Sequence, residues 1–261
     1  MEKAAAETIE LILHGKGSDI SVDLRDPINI PTETHEARLG LKSFSTYNNI
    51  PNITWNVNNQ LKIKVPGSEK WDIVPFFTGA YEIKRLNTQL QEWIKTSYPK
   101  LEDVDKKFKL VGNEATSKAE FIFKDDYAID FNVDHSICKV LGWEKKDSFS
   151  GVGMHFAPNI IDIVHVTQLI FNCSLVVSNY VNDMLVPFIY NCGVDVAAGY
   201  KLARELTDLS YKNITTSQIS HIRVWIVDQC GAPVNLRHDN LAITLSLKLV
   251  KKVPEVSIAK Q

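Results

Sequence analysis

Asp125, Asp126 and Asp130 lie within one short segment, and carboxylates held close together can split their pKa values into an acid and a base. Asp125-Asp126-Tyr127 also has the composition of a turn between two strands, and a solvated turn is the simpler reading. His155 and His165 stand ten positions apart with no cysteine or carboxylate at ligand spacing, so hydrogen-bonded or surface imidazoles are expected rather than metal ligands. A cupin-like barrel with a metal near these two histidines would need a third ligand that the chain does not offer. His135 and Cys138 are three apart, the spacing that puts a base and a nucleophile on one helix face, but the reading preferred is a buried thiol beside an exposed imidazole. GxSxG, P-loop, GxGxxG and HExxH motifs are all absent, and with them the familiar routes to acyl transfer, phosphate cradling, dinucleotide binding and zinc hydrolysis. No catalytic residue, cofactor or metal is therefore expected, and the chain is not read as an enzyme.

Composition narrows the partners. Lys and Arg total 29 against 31 acidic residues, and the net charge of -2 supplies no general pull toward nucleic acid or anionic membrane. The short basic runs Lys106-Lys107 with Lys109, Lys145-Lys146 and Lys248 with Lys251-Lys252 read as solvated faces, so no specific nucleic acid is expected. No window reaches the roughly 18 apolar residues of a membrane span, and MEKAAAETIE lacks the apolar segment of a leader. Cys138, Cys173, Cys192 and Cys230 are scattered without a CxxC pair and are expected as buried free thiols. The sequons at Asn52, Asn172 and Asn213 are taken as chance.

The elements that must position these side chains are mostly strands. Leu241, Ile243, Leu245, Leu247 and Leu249 share one parity while Thr244, Ser246 and Lys248 take the other. The same alternation marks Leu61 to Val65, Leu169 to Val177 and Ile222 to Ile226, with shorter candidates at 8–13, 20–24, 36–41, 108–111, 119–123, 160–166 and 185–190. About ten short strands separated by turn signals indicate an all-β sandwich or barrel rather than βαβ units. Gly231 is placed to supply a positive φ in the turn after Asp228.

One stretch breaks this pattern. Ile83, Leu86, Leu90, Trp93 and Ile94 recur at helical spacing opposite Lys84, Arg85, Asn87, Gln91 and Glu92, which predicts an inserted amphipathic helix over about 79–97. Thr78 is the expected N-cap and Pro99 the stop. A short helix is expected at about 135–141, capped by Asp134 and ended by Gly142. The chain reads as a single domain, 1–261, with flexible tails at about 1–7 and 251–261.

Five blocks follow one another in an order that is itself informative: LGLKSFSTYNNIPNI, FFTGAYEIKRLNTQLQ, YAIDFNVDHSICKVLGW, LIFNCSLVVSNYVNDMLVPFIY and IRVWIVDQCGAPVNLRHDNLAITLSLKL. In this collinear order the chain resembles the minor capsid (penton) protein of Polinton/Maverick elements and the related adintoviruses. The resemblance implies a single jelly-roll β-sandwich that forms homopentamers at the five-fold vertices of an icosahedral dsDNA virus or virus-like element. It also implies a double jelly-roll major capsid protein as partner, and localisation in the virion after synthesis in the host cytoplasm. Segments 145–159 and 100–108 match the family pattern least.

A five-fold ring joins one side of each copy to a different side of the next, so two exposed apolar or aromatic patches are needed. Trp55, Trp71, Trp143, Phe149, Phe156 and Trp225 are the candidates, with burial in the core as the competing reading for each except Trp225. Trp225 has opposite parity from Ile222, Val224 and Ile226 and should face outward from its sheet. The alternative function is a jelly-roll carbohydrate or receptor-binding module in which Trp55 and Tyr47 stack on sugars, with a host receptor or glycan as partner.

Overall fold

Alternating side chains need a partner surface for their apolar parity, and in the computed structural model two sheets supply it to each other. The structure describes residues 7–177, 179–181 and 184–252. In chain order its strands begin with β1 (Glu7–Lys16), β2 (Asp19–Asn29) and β3 (His35–Tyr47). There follow β4 (Gln60–Lys64), β5 (Asp72–Pro75), helices α1 (Ile83–Ser97) and α2 (Val104–Lys107), β6 (Phe108–Asn113), β7 (Lys118–Phe123), β8 (Ala128–Asp130), β9 (Ser148–Ser150) and β10 (Gly153–Phe156). The chain closes with β11 (Gln168–Cys173), β12 (Asn179–Val181), β13 (Met184–Val186), β14 (Phe188–Gly193), β15 (Lys201–Glu205), β16 (Lys212–Ile214), β17 (Gln218–Val227) and β18 (Asn240–Lys251).

Contacts divide this chain, drawn from sequence as one domain, into two compact units: Ile50–His165, and the segments on either side of it. The outer segments form an antiparallel sandwich. One sheet runs β1-β18-β3-β15, with β16 also on β3, and the other runs β14-β11-β17-β2. Chain order crosses between the two sheets at every step except β11 to β14 and β15 to β16, which is the jelly-roll arrangement, and Ile50–His165 occupies the connection from β3 to β11. Leu11, Leu13, Leu39, Leu41, Leu245 and Leu247 are buried from one sheet, and Ile222, Val224 and Ile226 from the other. Phe44 of the first sheet meets Phe171 of the second at 4.6 Å between ring centroids.

Ile50–His165 builds a separate core from sheets β5-β4-β8-β9 and β10-β7-β6 with α1. Helix α1 buries Leu86, Leu90 and Ile94, the face that periodicity predicts, and the Tyr98 N–H closes its last turn on Ile94 O before Pro99. Its start departs from expectation. The Thr78 hydroxyl accepts from the Trp55 N–H at 2.9 Å instead of capping the helix, and Glu82 holds the N-cap position. Residues 79–81 cannot coil because Gly79 forms an antiparallel bridge with Ile53.

Other expectations are corrected in the same way. Segment 135–141 is a run of turns rather than a helix: His135 takes φ +52 and the Ile137 N–H is drawn to Gln60 O at 2.9 Å, so the chain pairs with β4 instead of coiling. Segment 160–166 forms no strand and is tied only at single points, such as the Asp162 N–H to Val140 O at 3.1 Å. Gly231 does take φ +81, and the Asp228 carboxylate accepts from both the Cys230 and Ala232 N–H groups. The strands on either side, β17 and β18, nevertheless enter opposite sheets. The expected tails fall largely outside the described residues, while Glu7 opens β1 and Lys251 closes β18.

Candidate interaction surfaces

The catalytic candidates are held apart by local partners. Asp125 accepts from the Asp126 N–H at 3.0 Å and pairs with Lys107 at 3.2 Å. The backbone donor first and the ammonium second hold its carboxyl below the usual carboxylate range. Asp126 is exposed, and Asp130 pairs with Lys62 at 2.8 Å across the β4–β8 register, so no two of the three share a proton site. His155 lies flat on Phe149, with centroids 4.6 Å apart and planes at 20°, and its Nε2 donates to Gly151 O at 3.0 Å. His165 is exposed and lines a groove together with His135 and Cys138. Among the described residues, no group of three or more His, Cys, Asp or Glu side chains is placed to hold a metal ion.

All four cysteines are free, but only Cys138 and Cys173 are buried as expected; Cys192 is half-buried and Cys230 is exposed on the turn after β17. Burial pushes the thiols of Cys173 and Cys192 up to about 11. Two sequons are closed to modification in the fold, since Asn52 and Asn172 are buried, whereas Asn213 is exposed. Among the described residues, no helix is long and apolar enough to cross a membrane.

The six aromatic candidates separate into three groups. Trp143 is only 4% exposed, with Phe131 stacked on it at 5.3 Å and Phe121 at 5.4 Å, and Phe149 is packed into the same cluster. Trp143 is a core residue and Phe149 a half-buried one packed against the same core, because the sheets of this unit need bulky rings between them. Trp225 faces outward from β17 as its parity requires, half-buried under the Arg223 guanidinium at 5.1 Å, which Asp19 holds in turn.

Trp55, Trp71 and Phe156 do reach the surface. Trp71 precedes the edge strand β5, Lys62 sits 5.2 Å above its ring, and exposed Ile73 follows. Phe156 is 59% exposed on the edge strand β10, beside exposed Val152 and Met154. The other edge of that sheet, β6, is sealed from within the unit: Asn87 of α1 accepts from the Leu110 N–H and Gln91 donates to Phe108 O, each at 2.7 Å. Two polar residues assigned by periodicity to a wet helix face thus serve the sheet instead.

Trp55 has a companion that sequence reading does not single out. Its ring lies 6.2 Å from that of Phe77 with an interplanar angle of 17°, and the two are 49% and 72% exposed. The loop beneath them is fastened by asparagines. The Thr54 N–H donates to Asn58 Oδ1 at 2.7 Å and the Asn56 N–H to Asn59 Oδ1 at 3.0 Å, while Asn58 Nδ2 returns to Asn52 O at 2.8 Å. Asn56 adopts φ +58, a region asparagine tolerates better than most residues. The run of asparagines at 48–59 was the available signal. Tyr47, the sugar-stacking partner suggested for Trp55, belongs to β3 of the sandwich.

No protein-family model matches the chain, and no curated protein matches it. Among solved structures it is similar to the mavirus penton protein, at 10% identity and a TM-score of 0.47, with 94% of this chain and 100% of that chain covered.

Proposed function

We propose that the chain is a structural minor capsid protein that forms homopentamers at the five-fold vertices of an icosahedral virion, alongside a double jelly-roll major capsid protein. The observation that carries this reading is the strand order of the sandwich, β1-β18-β3-β15 facing β14-β11-β17-β2. This architecture serves shells and recognition modules alike, and the collinear sequence resemblance to Polinton/Maverick and adintovirus pentons favours the shell. The reading assigns no reaction to the chain and requires no cofactor.

A closed five-fold ring needs two unlike patches on each copy. Trp71 with Ile73 beside β5 and Val152, Met154 and Phe156 beside β10 supply two, on the edges of different sheets. Edge strands with apolar exposure invite pairing with another chain, and both would be covered in an assembled vertex.

Native mass spectrometry of the purified protein is expected to show five copies, alone or on addition of the major capsid protein. A strict monomer that also fails to join the major capsid protein overturns the proposal. Electron microscopy of assembled particles should place the chain at five-fold vertices.

A further inference from the structure

We propose that the groove beside Trp55 and Phe77 binds a neutral carbohydrate, whose C–H face stacks on the two aromatic rings while its hydroxyls bond to the polar groove wall. The site lies wholly within Ile50–His165 and is independent of the vertex reading.

The platform comes first. Two large rings, nearly parallel, are exposed side by side, Trp55 by half and Phe77 by more. Here the exposure is held in place. The backbone N–H groups of Thr54, Asn56 and Trp55 donate to the side-chain oxygens of Asn58, Asn59 and Thr78, and Asn59 Nδ2 ties the loop to Phe76 O at 3.2 Å. A ligand meeting such a surface loses little affinity to loop ordering, because the loop is already ordered. An aromatic face is electron-rich, and the C–H bonds on one face of a sugar ring present the complementary positive edge.

The second observation is the wall beside that platform. The Trp55 loop forms one side of a groove of about 550 Å³, a size suited to a small ligand. Thr54, Val57 and Asn58 line it from the loop, and His135, Lys139 and Asp162 are among the residues of the other walls. Donors and acceptors are both present. The charges are of mixed sign, with Lys139 and Asp162 both on the wall, and Lys145, also on the wall, pairs with Asp134 at 3.3 Å. A phosphate or sulfate would call for an uncompensated cationic cluster. The centre of a protein interface would be depleted of lysine and aspartate. A hydroxyl-rich, uncharged ring suits the mixed wall, and the Trp55–Phe77 pair stands on the loop that supplies one side of it.

The test uses the full chain on a printed glycan array carrying neutral and acidic glycans, followed by saturation-transfer NMR with the strongest neutral glycan. Binding of at least one neutral glycan is expected, with transfer strongest at ring C–H protons. Trp55→Ala and Phe77→Ala should each weaken it at least tenfold, and Trp55→Phe should recover part of the loss. Both rings are exposed, so the melting temperatures of these variants should match the parent. The proposal is overturned if no glycan binds, if only acidic glycans bind, or if Trp55→Ala binds as the parent does. It is equally overturned if Trp55→Ala abolishes self-association while the parent binds no glycan, which would give the surface to a second copy of the chain.

Discussion

Asn52 grips the backbone of Tyr81 from both sides: its Oδ1 accepts from the Tyr81 N–H at 2.8 Å and its Nδ2 donates to Tyr81 O at 2.7 Å. The same nitrogen also reaches Ile163 O at 3.1 Å, so one buried side chain joins the Trp55 loop, the approach to α1 and the segment leading out of the unit. This amide acts as a single rung of sheet between three stretches that form no common ladder.

Asn52→Ala leaves the three Tyr81 and Ile163 backbone groups without their side-chain partner. At about 1 kcal/mol for each lost bond, the variant is expected to be destabilised by roughly 3 kcal/mol, read as a lower urea midpoint. A loss below about 1 kcal/mol would mean that the clamp contributes little.

Two tryptophans of the same unit should respond in opposite ways. Trp143→Ala empties a site lined by Phe121, Phe131 and Phe149 and should cost about 3–5 kcal/mol. Trp55→Ala removes an exposed ring and should stay within about 0.5 kcal/mol. Chemical denaturation of both variants checks the contrast.

Gly142 has φ +82, and a Cβ there would stand 2.4 Å from Asn159 O and 2.9 Å from Ile160 O. Both neighbours are backbone, so neither can swing aside. Gly142→Ala combines left-handed strain of about 1–2 kcal/mol with this clash and should lower the melting temperature more than alanine at Gly67, where φ is +75 but the space is open.

Asp72 accepts from the Tyr98 hydroxyl and pairs with Lys70 at 2.9 Å, tying edge strand β5 to the residue that ends α1. The tyrosine hydrogen bond first and the lysine second hold its carboxyl below the usual range. A depressed folded-state pKa gives stability that is fully present above the unfolded value, about 3.9, and is lost as pH falls through the folded one. The stability difference between the parent and Asp72→Asn should therefore be largest near pH 7, on the order of 1 kcal/mol, and should shrink below about pH 4. Melting temperatures across this range provide the measurement; a difference unchanged from pH 7 to pH 3 would refute the linkage.

Parity and period carry local information, and at many positions they sufficed. Leu86, Leu90 and Ile94 are buried at the spacing that predicts a helix, the Leu241 to Leu249 series lies inward on β18, and Trp225 faces outward from β17. These features follow from backbone geometry, which is the same whatever the chain packs against. Pro99 and Gly231 act as written for the same reason.

What tertiary structure decided is every matter of partnership. Asn87 and Gln91 look like solvent-facing helix residues until β6 arrives with an unpaired edge, and Thr78 looks like an N-cap until Ile53 bridges Gly79 and leaves its hydroxyl to Trp55. Trp55 and Trp143 are indistinguishable by residue type, yet one rests on a loop fastened by asparagines and the other fills the space between two sheets. Side-chain period specifies which way a residue points from its own element. It carries no information about which distant segment will be there to meet it, and that meeting determines whether a ring becomes core or surface.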